Sequence, residues 1–281
     1  MQASGLDRDS LSVKVIMIQI KKIKNGSQLK AFKKALVISV LLYILVVVSY
    51  QLVIFYLSSQ PTLLRLTLFL GGDFLGGGYI QFITYLVYLF AYYLIKDRSA
   101  GLTQQEVYIQ KINLPKSSKE ILLENDVNRI RVEAEERGAK DSIINTIVIR
   151  ACRKFRSSQS VPETMEMVSE QISFYNDHEY VGQTTIRYLN WCIPSLGFIG
   201  TIIGIAGAMQ YAGSGNVQLV TASLGVAFDT TLLALVLSII INWRQGELEK
   251  FSASVFLQIK EAITDRLINC IEVIPRHDEK K

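Results

Sequence analysis

The chain has 281 residues, with 30 Lys and Arg against 25 Asp and Glu, a net charge of +5 and 49% apolar residues. That average would suit a soluble globule, but the distribution does not: of all its Asp, Glu, Lys and Arg, only Asp229 falls inside the four windows 35–58, 79–95, 188–212 and 219–243. A soluble amphipathic fold carries charge every few residues, and neither a disordered chain nor a nucleic-acid binder contains such uninterrupted apolar blocks, so those three classes are excluded.

In chain order, residues 1–34 form a basic arm with eight Lys and Arg. Within it Leu11 to Lys24 mixes Val, Ile and Lys. It reads either as a helix lying on anionic membrane lipid or as a plain leading arm. Window 35–58 is a first membrane helix, since about 20 mostly apolar residues satisfy their own backbone across a bilayer. It is too long for a signal-peptide core, and no small-residue cleavage site follows it. Residues 59–78 form a short Gly-rich loop whose one basic residue is Arg65. Window 79–95 is short for a span, but Tyr79, Tyr85, Tyr88, Tyr92 and Tyr93 suit the membrane–water interfaces. Segment 35–95 is thus a pair of N-terminal membrane helices.

Segment 96–187 holds fourteen Lys and Arg and reads as helical. Ile143, Ile144, Ile147, Val148, Ala151 and Phe155 make one apolar face. Ser160-Val-Pro-Glu163 has the form of a capping box with proline in the first turn, opening a helix through Val168, Ile172 and Tyr175. The mixed charges from Arg129 to Arg137 read as a solvated helix face or a docking surface for a partner. Segment 188–243 is a second membrane pair. Segment 244–281, with seven Lys and Arg, repeats Phe251, Val255, Ile259, Ile263, Leu267 and Ile271 every four residues. That stripe predicts a long helix continuing the last span.

The Lys and Arg bias puts both termini and segment 96–187 in the cytoplasm, with a short loop and a tight turn outside. Cys152, Cys192 and Cys270 offer no disulfide framework. No Cys/His cluster suggests a metal, and no cofactor is expected. The two histidines, His178 and His277, are flanked by acidic residues, and GxSxG, HExxH and phosphate-loop motifs are missing, so an enzyme is not expected. The fold class expected is all-α: a polytopic membrane protein with four transmembrane helices and a helical cytoplasmic region.

The last two spans carry the chemistry. Gly197, Gly200, Gly204 and Gly207 form one small-residue stripe on the third, with Pro194 near its start. Such a stripe lets backbones approach closely, either between two helices of one chain or between identical subunits. Thr201 is displaced from the stripe and adds a mid-membrane hydroxyl. In the fourth, Thr221, Gly225 and Asp229 form a polar and small line, with Asp229 about ten residues, or roughly 15 Å, from the outer end. An intramembrane carboxylate costs at least about 2.5 kcal/mol, and no Lys or Arg lies in any window to pair with it. Asp229 is therefore expected neutral and hydrogen-bonded to hydroxyls such as Thr230 or Thr201, or lining a hydrated path.

Ile-Pro-Ser-Leu-Gly-Phe-Ile-Gly-Thr-Ile-Ile-Gly (193–204), followed by Ala227-Phe-Asp-Thr-Thr-Leu-Leu-Ala-Leu235, resembles the core of the MotA/TolQ/ExbB proton-channel family over about residues 185–245. The four-helix layout looks more like MotA, the motif more like TolQ and ExbB. The resemblance implies a homopentamer in a bacterial inner membrane, ringing a single-span partner of the ExbD, TolR or MotB type with an acidic residue. Ion flow would be coupled to motion of that partner in an envelope, motility or transport process. The family's pore threonines map to Thr201 and Thr231, and Ala234 stands where the family often has glycine. Asp229 has no counterpart expected in TolQ or ExbB. The ion-pathway candidates are therefore Thr201, Thr231, Asp229 and Thr230. A small-molecule transporter, which predicts internal repeats and broken helices, and a membrane scaffold without transport stay open as alternatives.

Overall fold

The computed structural model describes residues 6–56, 60–112, 114–115, 122–139 and 141–272, the side chains of 6–25, 27, 75, 124 and 137 excepted. The lipid-lying role of Leu11 to Lys24 and the setting of His277 fall outside that description. Among the described residues eight α-helices follow in order: α1 (Leu6–Tyr56), α2 (Pro61–Phe69), α3 (Tyr79–Lys111), α4 (Glu124–Arg137), α5 (Ile143–Ser158), α6 (Val161–Gly182), α7 (Thr184–Ala212) and α8 (Val217–Arg266). Among the described residues there is no strand beyond one parallel bridge between Leu122 and Ile271. The protein is all-α, and four helical stretches, within 28–56, 76–111, 161–212 and 217–270, are long and apolar enough to cross a membrane.

The chain divides into two compact units. The first comprises residues 1–97 and 185–245, the second residues 98–184 and 246–281.

In the first unit, Ala35 of α1 and Ala91 of α3 are fully buried, and Phe32 of α1 stands edge-on to Phe90 of α3 with ring centroids 5.3 Å apart. Large apolar residues such as Leu45, Phe55, Phe198, Ile239 and Trp243 stay exposed, as lipid-facing surface allows and water does not. The connection between α1 and α3 is more than the short loop the sequence suggests. Pro61 opens α2, where its missing N–H costs nothing, and a wide turn over Phe74–Gly78 leads into α3. Gly71 (φ 95°) and Gly77 (φ 121°) take backbone angles that side chains disfavour. Three successive carbonyls at the end of α2 receive side-chain donors: Gln81 Nε2 to Phe69 O (3.0 Å), Tyr85 OH to Leu70 O (3.2 Å) and Tyr43 OH to Gly71 O (2.7 Å). Irregular backbone at membrane depth needs such partners. Tyr85, read from sequence as interfacial, is instead buried, because its hydroxyl is spent on this connection.

In the second unit α5 lies between α4 and α6. Its predicted face is the buried one: Ile144, Ile147, Val148, Ala151 and Phe155 are all covered, Ile143 partly. Ser142 caps α5 by accepting from Asn145 N, and Gln105 accepts from Ile143 N while donating to Asp141 O. Ser160 caps α6 as its sequence predicts, while Glu163 takes Lys154 Nζ at 2.7 Å. The four-residue stripe on α8 is covered at Val255, Ile259 and Ile263, and Leu267 continues it beyond the helix end. The charged face of α4 is laced by ion pairs, Arg131 to Glu135 and Glu135 to Arg153, over buried Val127 and Ile130. Burial pushes the Cys152 thiol up to about 12.

Candidate functional site: a hydroxyl seam and an ion pair on one helix

The glycines of α7 face α8 of the same chain. A Cβ built at Gly197 would lie 2.6 Å from Ala234 Cβ, and one at Gly204 would lie 2.6 Å from Ala227 Cβ and 2.7 Å from Ser223 O. At Gly200 it would run into Thr230, and only at Gly207 is there room, with Ser223 Oγ 3.4 Å away. The stripe is thus spent on closing α7 against α8. Pro194 sits inside α7, one residue beyond buried Ile193.

That closeness brings Thr201 and Thr231 into hydroxyl-to-hydroxyl contact. Both hydroxyls also reach the same two carbonyls. Thr231 Oγ1 lies 3.0 Å from Gly197 O and from Ala227 O, and Thr201 Oγ1 lies 3.3 Å from each. Four oxygens share two protons, so lone pairs remain for a water, a hydronium or a bare cation. Both threonines are half-buried. A neutral cluster of this kind offers an ion ligands without a fixed charge in the membrane.

Residues 139–261 match the MotA/TolQ/ExbB proton channel family. That stretch is similar to the family and makes up somewhat less than half of the chain. It runs from the start of α5 through the span of α8 and leaves α1 to α4 outside the match. No curated protein and no solved structure matched the chain. The four long apolar helices make the chain a membrane protein, and the hydroxyl contact lies inside the stretch that is similar to this proton-channel family.

Asp229 departs from the expectation. It is not bonded to Thr230 or Thr201; Arg65 of α2 grips it through two bonds, Nη1 to Oδ2 at 2.6 Å and Nη2 to Oδ1 at 2.7 Å. The carboxylate is covered, its side chain 9% exposed, while that of Arg65 is 58% exposed. The correction has a simple origin: the cation comes from the connection between the first two spans, outside every apolar window. Thr230, expected near Asp229, turns its hydroxyl onto the carbonyls of Val226 and Ala227 and is fully buried. The ion pair borders an open cavity of about 990 Å³, lined also by Asp73, Gln81, Tyr211 and Thr221. Those polar groups among an otherwise largely apolar lining, and that volume, suit several waters.

A second polar contact between α7 and α8 was not singled out from sequence. Asn190 Nδ2 donates to Asn242 Oδ1 at 2.6 Å and Gln245 Oε1 at 3.0 Å. Asn190 precedes Thr201, and Asn242 follows Thr231, by about three helical turns, so each amide shares a face with its threonine. The signal was there, as one offset repeated on two antiparallel helices.

Proposed function

We propose that this protein is the ring-forming subunit of a proton channel in a bacterial inner membrane, with both termini and segment 96–187 in the cytoplasm. Five copies surround a single-span partner of the ExbD, TolR or MotB type, whose membrane helix carries an acidic residue. Ion flow through the ring drives motion of that partner and so energises an envelope, motility or transport process. The observation carrying this reading is the Thr201–Thr231 contact, two hydroxyls and two carbonyls gathered on the helix pair of the family segment.

In this mechanism Thr201 and Thr231 form the polar point of the ion path. Each can accept one hydrogen bond while donating another, which lets a proton pass without a charged side chain. Thr230 keeps α7 and α8 pressed together at Gly200. Asp229 tunes the path from another side of α8. The remaining family role, stepping of the partner, requires that its protonation change which subunit it contacts best.

Native mass spectrometry of the complex extracted gently from its own membranes tests the assembly. Five copies with one or more copies of a smaller single-span protein are expected; a reproducible monomer or dimer would sink the ring. Proton flux in native vesicles should fall by at least about tenfold in Thr231→Val, as loss of one polar ligand in a path implies. Unchanged flux in both Thr231→Val and Thr201→Val would remove the hydroxyls from the path.

A further inference from the structure

The ion pair joins a residue outside the family segment to one inside it: Arg65 on α2 and Asp229 on α8. Asp229 precedes Thr231 by two residues, or about 200° around the helix, so the two side chains leave α8 on nearly opposite sides. A fork of two short bonds fixes both distance and rotation in a way that one contact cannot. The α2 end of the fork is itself held. Three of its closing carbonyls are bonded by Gln81, Tyr85 and Tyr43, and Gly77 passes so near Val226 of α8 that any side chain there would strike it. Arg65 thus pulls α8 from an anchored support.

We propose that Arg65 is a positioning residue for the ion path: its pair with Asp229 sets the rotation of α8 that presents Thr231 to Thr201, and Asp229 acts through this pair instead of carrying the ion. The inference rests on the reading that the two hydroxyls line the path. Its charges are unequally placed. The side chain of Asp229 is 9% exposed, whereas that of Arg65 is 58% exposed at the open cavity and can be hydrated there. Removing the arginine strands a buried carboxylate; removing the carboxylate leaves a guanidinium with access to water. Removing both charges strands nothing.

The test uses the full chain in its native membranes, with two readouts. One is proton flux per copy of the chain. The other is the rate of disulfide formation in Thr201→Cys/Thr231→Cys, which reads the geometry of the seam whether or not ions pass there. Arg65→Gln is expected to slow cross-linking and lower flux by about tenfold or more, Asp229→Asn by less, and Arg65→Gln/Asp229→Asn to return both to within about threefold of the parent. Should Arg65→Gln reduce the amount of chain in the membrane, Arg65→Lys keeps the charge and loses the fork, and a loss of about threefold is expected. Cross-linking unchanged in Arg65→Gln and Arg65→Lys overturns the proposal. So does a double variant whose flux is as low as that of Asp229→Asn, because an ion carrier cannot be rescued by deleting its partner. If instead Thr201→Val and Thr231→Val leave flux intact, the ion-path reading fails while the cross-linking still reports whether Arg65 sets the seam.

Discussion

Helix α8 meets two kinds of polar partner within three residues. At Thr231 the contact is neutral, made by hydroxyls and carbonyls in a seam closed by glycines. At Asp229 it is fully charged, made by a guanidinium fork from a separate connection. The neutral side can exchange one hydrogen bond for another without stranding a charge, so it suits transfer. The charged side resists exchange, because the covered carboxylate of Asp229 is costly without its arginine, so it suits fixation. One helix keeps the two tasks apart by turning them to different sides.

The largest effect is expected from opening the seam. Gly204→Leu should abolish the assembled, conducting complex, since Ala227 and the Ser223 carbonyl already occupy the space. Loss of the oligomer by native mass spectrometry checks it, and a complex that still assembles would show that the glycines are not what closes the pair. Next in size, Tyr43→Phe removes the donor on Gly71 O and should cost about 1–3 kcal/mol of stability, seen as earlier thermal unfolding in detergent. If the support of α2 matters as argued, cross-linking at the threonine seam should slow as well.

Away from the membrane unit the effects become smaller. The folded chain keeps Cys152 protonated up to about pH 12, whereas an unfolded thiol ionises near 8.5. Stability from this group is therefore unchanged at lower pH and falls as pH rises above about 8.5, and alkylation of Cys152 at pH 8 should await unfolding. Smallest of all, the hydrogen bond from Arg153, aided by Arg131, holds the Glu135 carboxyl below its usual range. Its contribution is present above the ordinary carboxylate value and is lost as pH falls through the lower folded one. Glu135→Gln should slightly flatten the acid limb of unfolding, an effect that added salt erases.

What was legible in the sequence was periodic. The glycine stripe, the face of α5 and the four-residue stripe of α8 repeat at helical spacing, and the middle of each is buried while Gly207, Ile143, Phe251 and Ile271 at the ends are partly covered. Thr201 and Thr231 could be paired through family resemblance, since they lie 30 residues apart on different helices. The partner of Asp229 could not be read in that way. It lies 164 residues away, in the connection between the first two spans and outside every apolar window. Tyr43, Gln81 and Tyr85 were hidden for a related reason: a polar side chain inside a span shows no pattern when what it serves is backbone elsewhere.

The bonded connection between α1 and α3 also constrains how the protein is made. Its last carbonyls, at Phe69, Leu70 and Gly71, draw their donors from a helix translated before them and from one translated after. Until α3 has left the ribosome, two of those three groups have no partner in the nascent chain. The connection therefore matures as a three-part hairpin after both flanking spans have emerged, and Arg65 is already in place on it when α8, synthesised last of the spans, brings Asp229 into the bilayer.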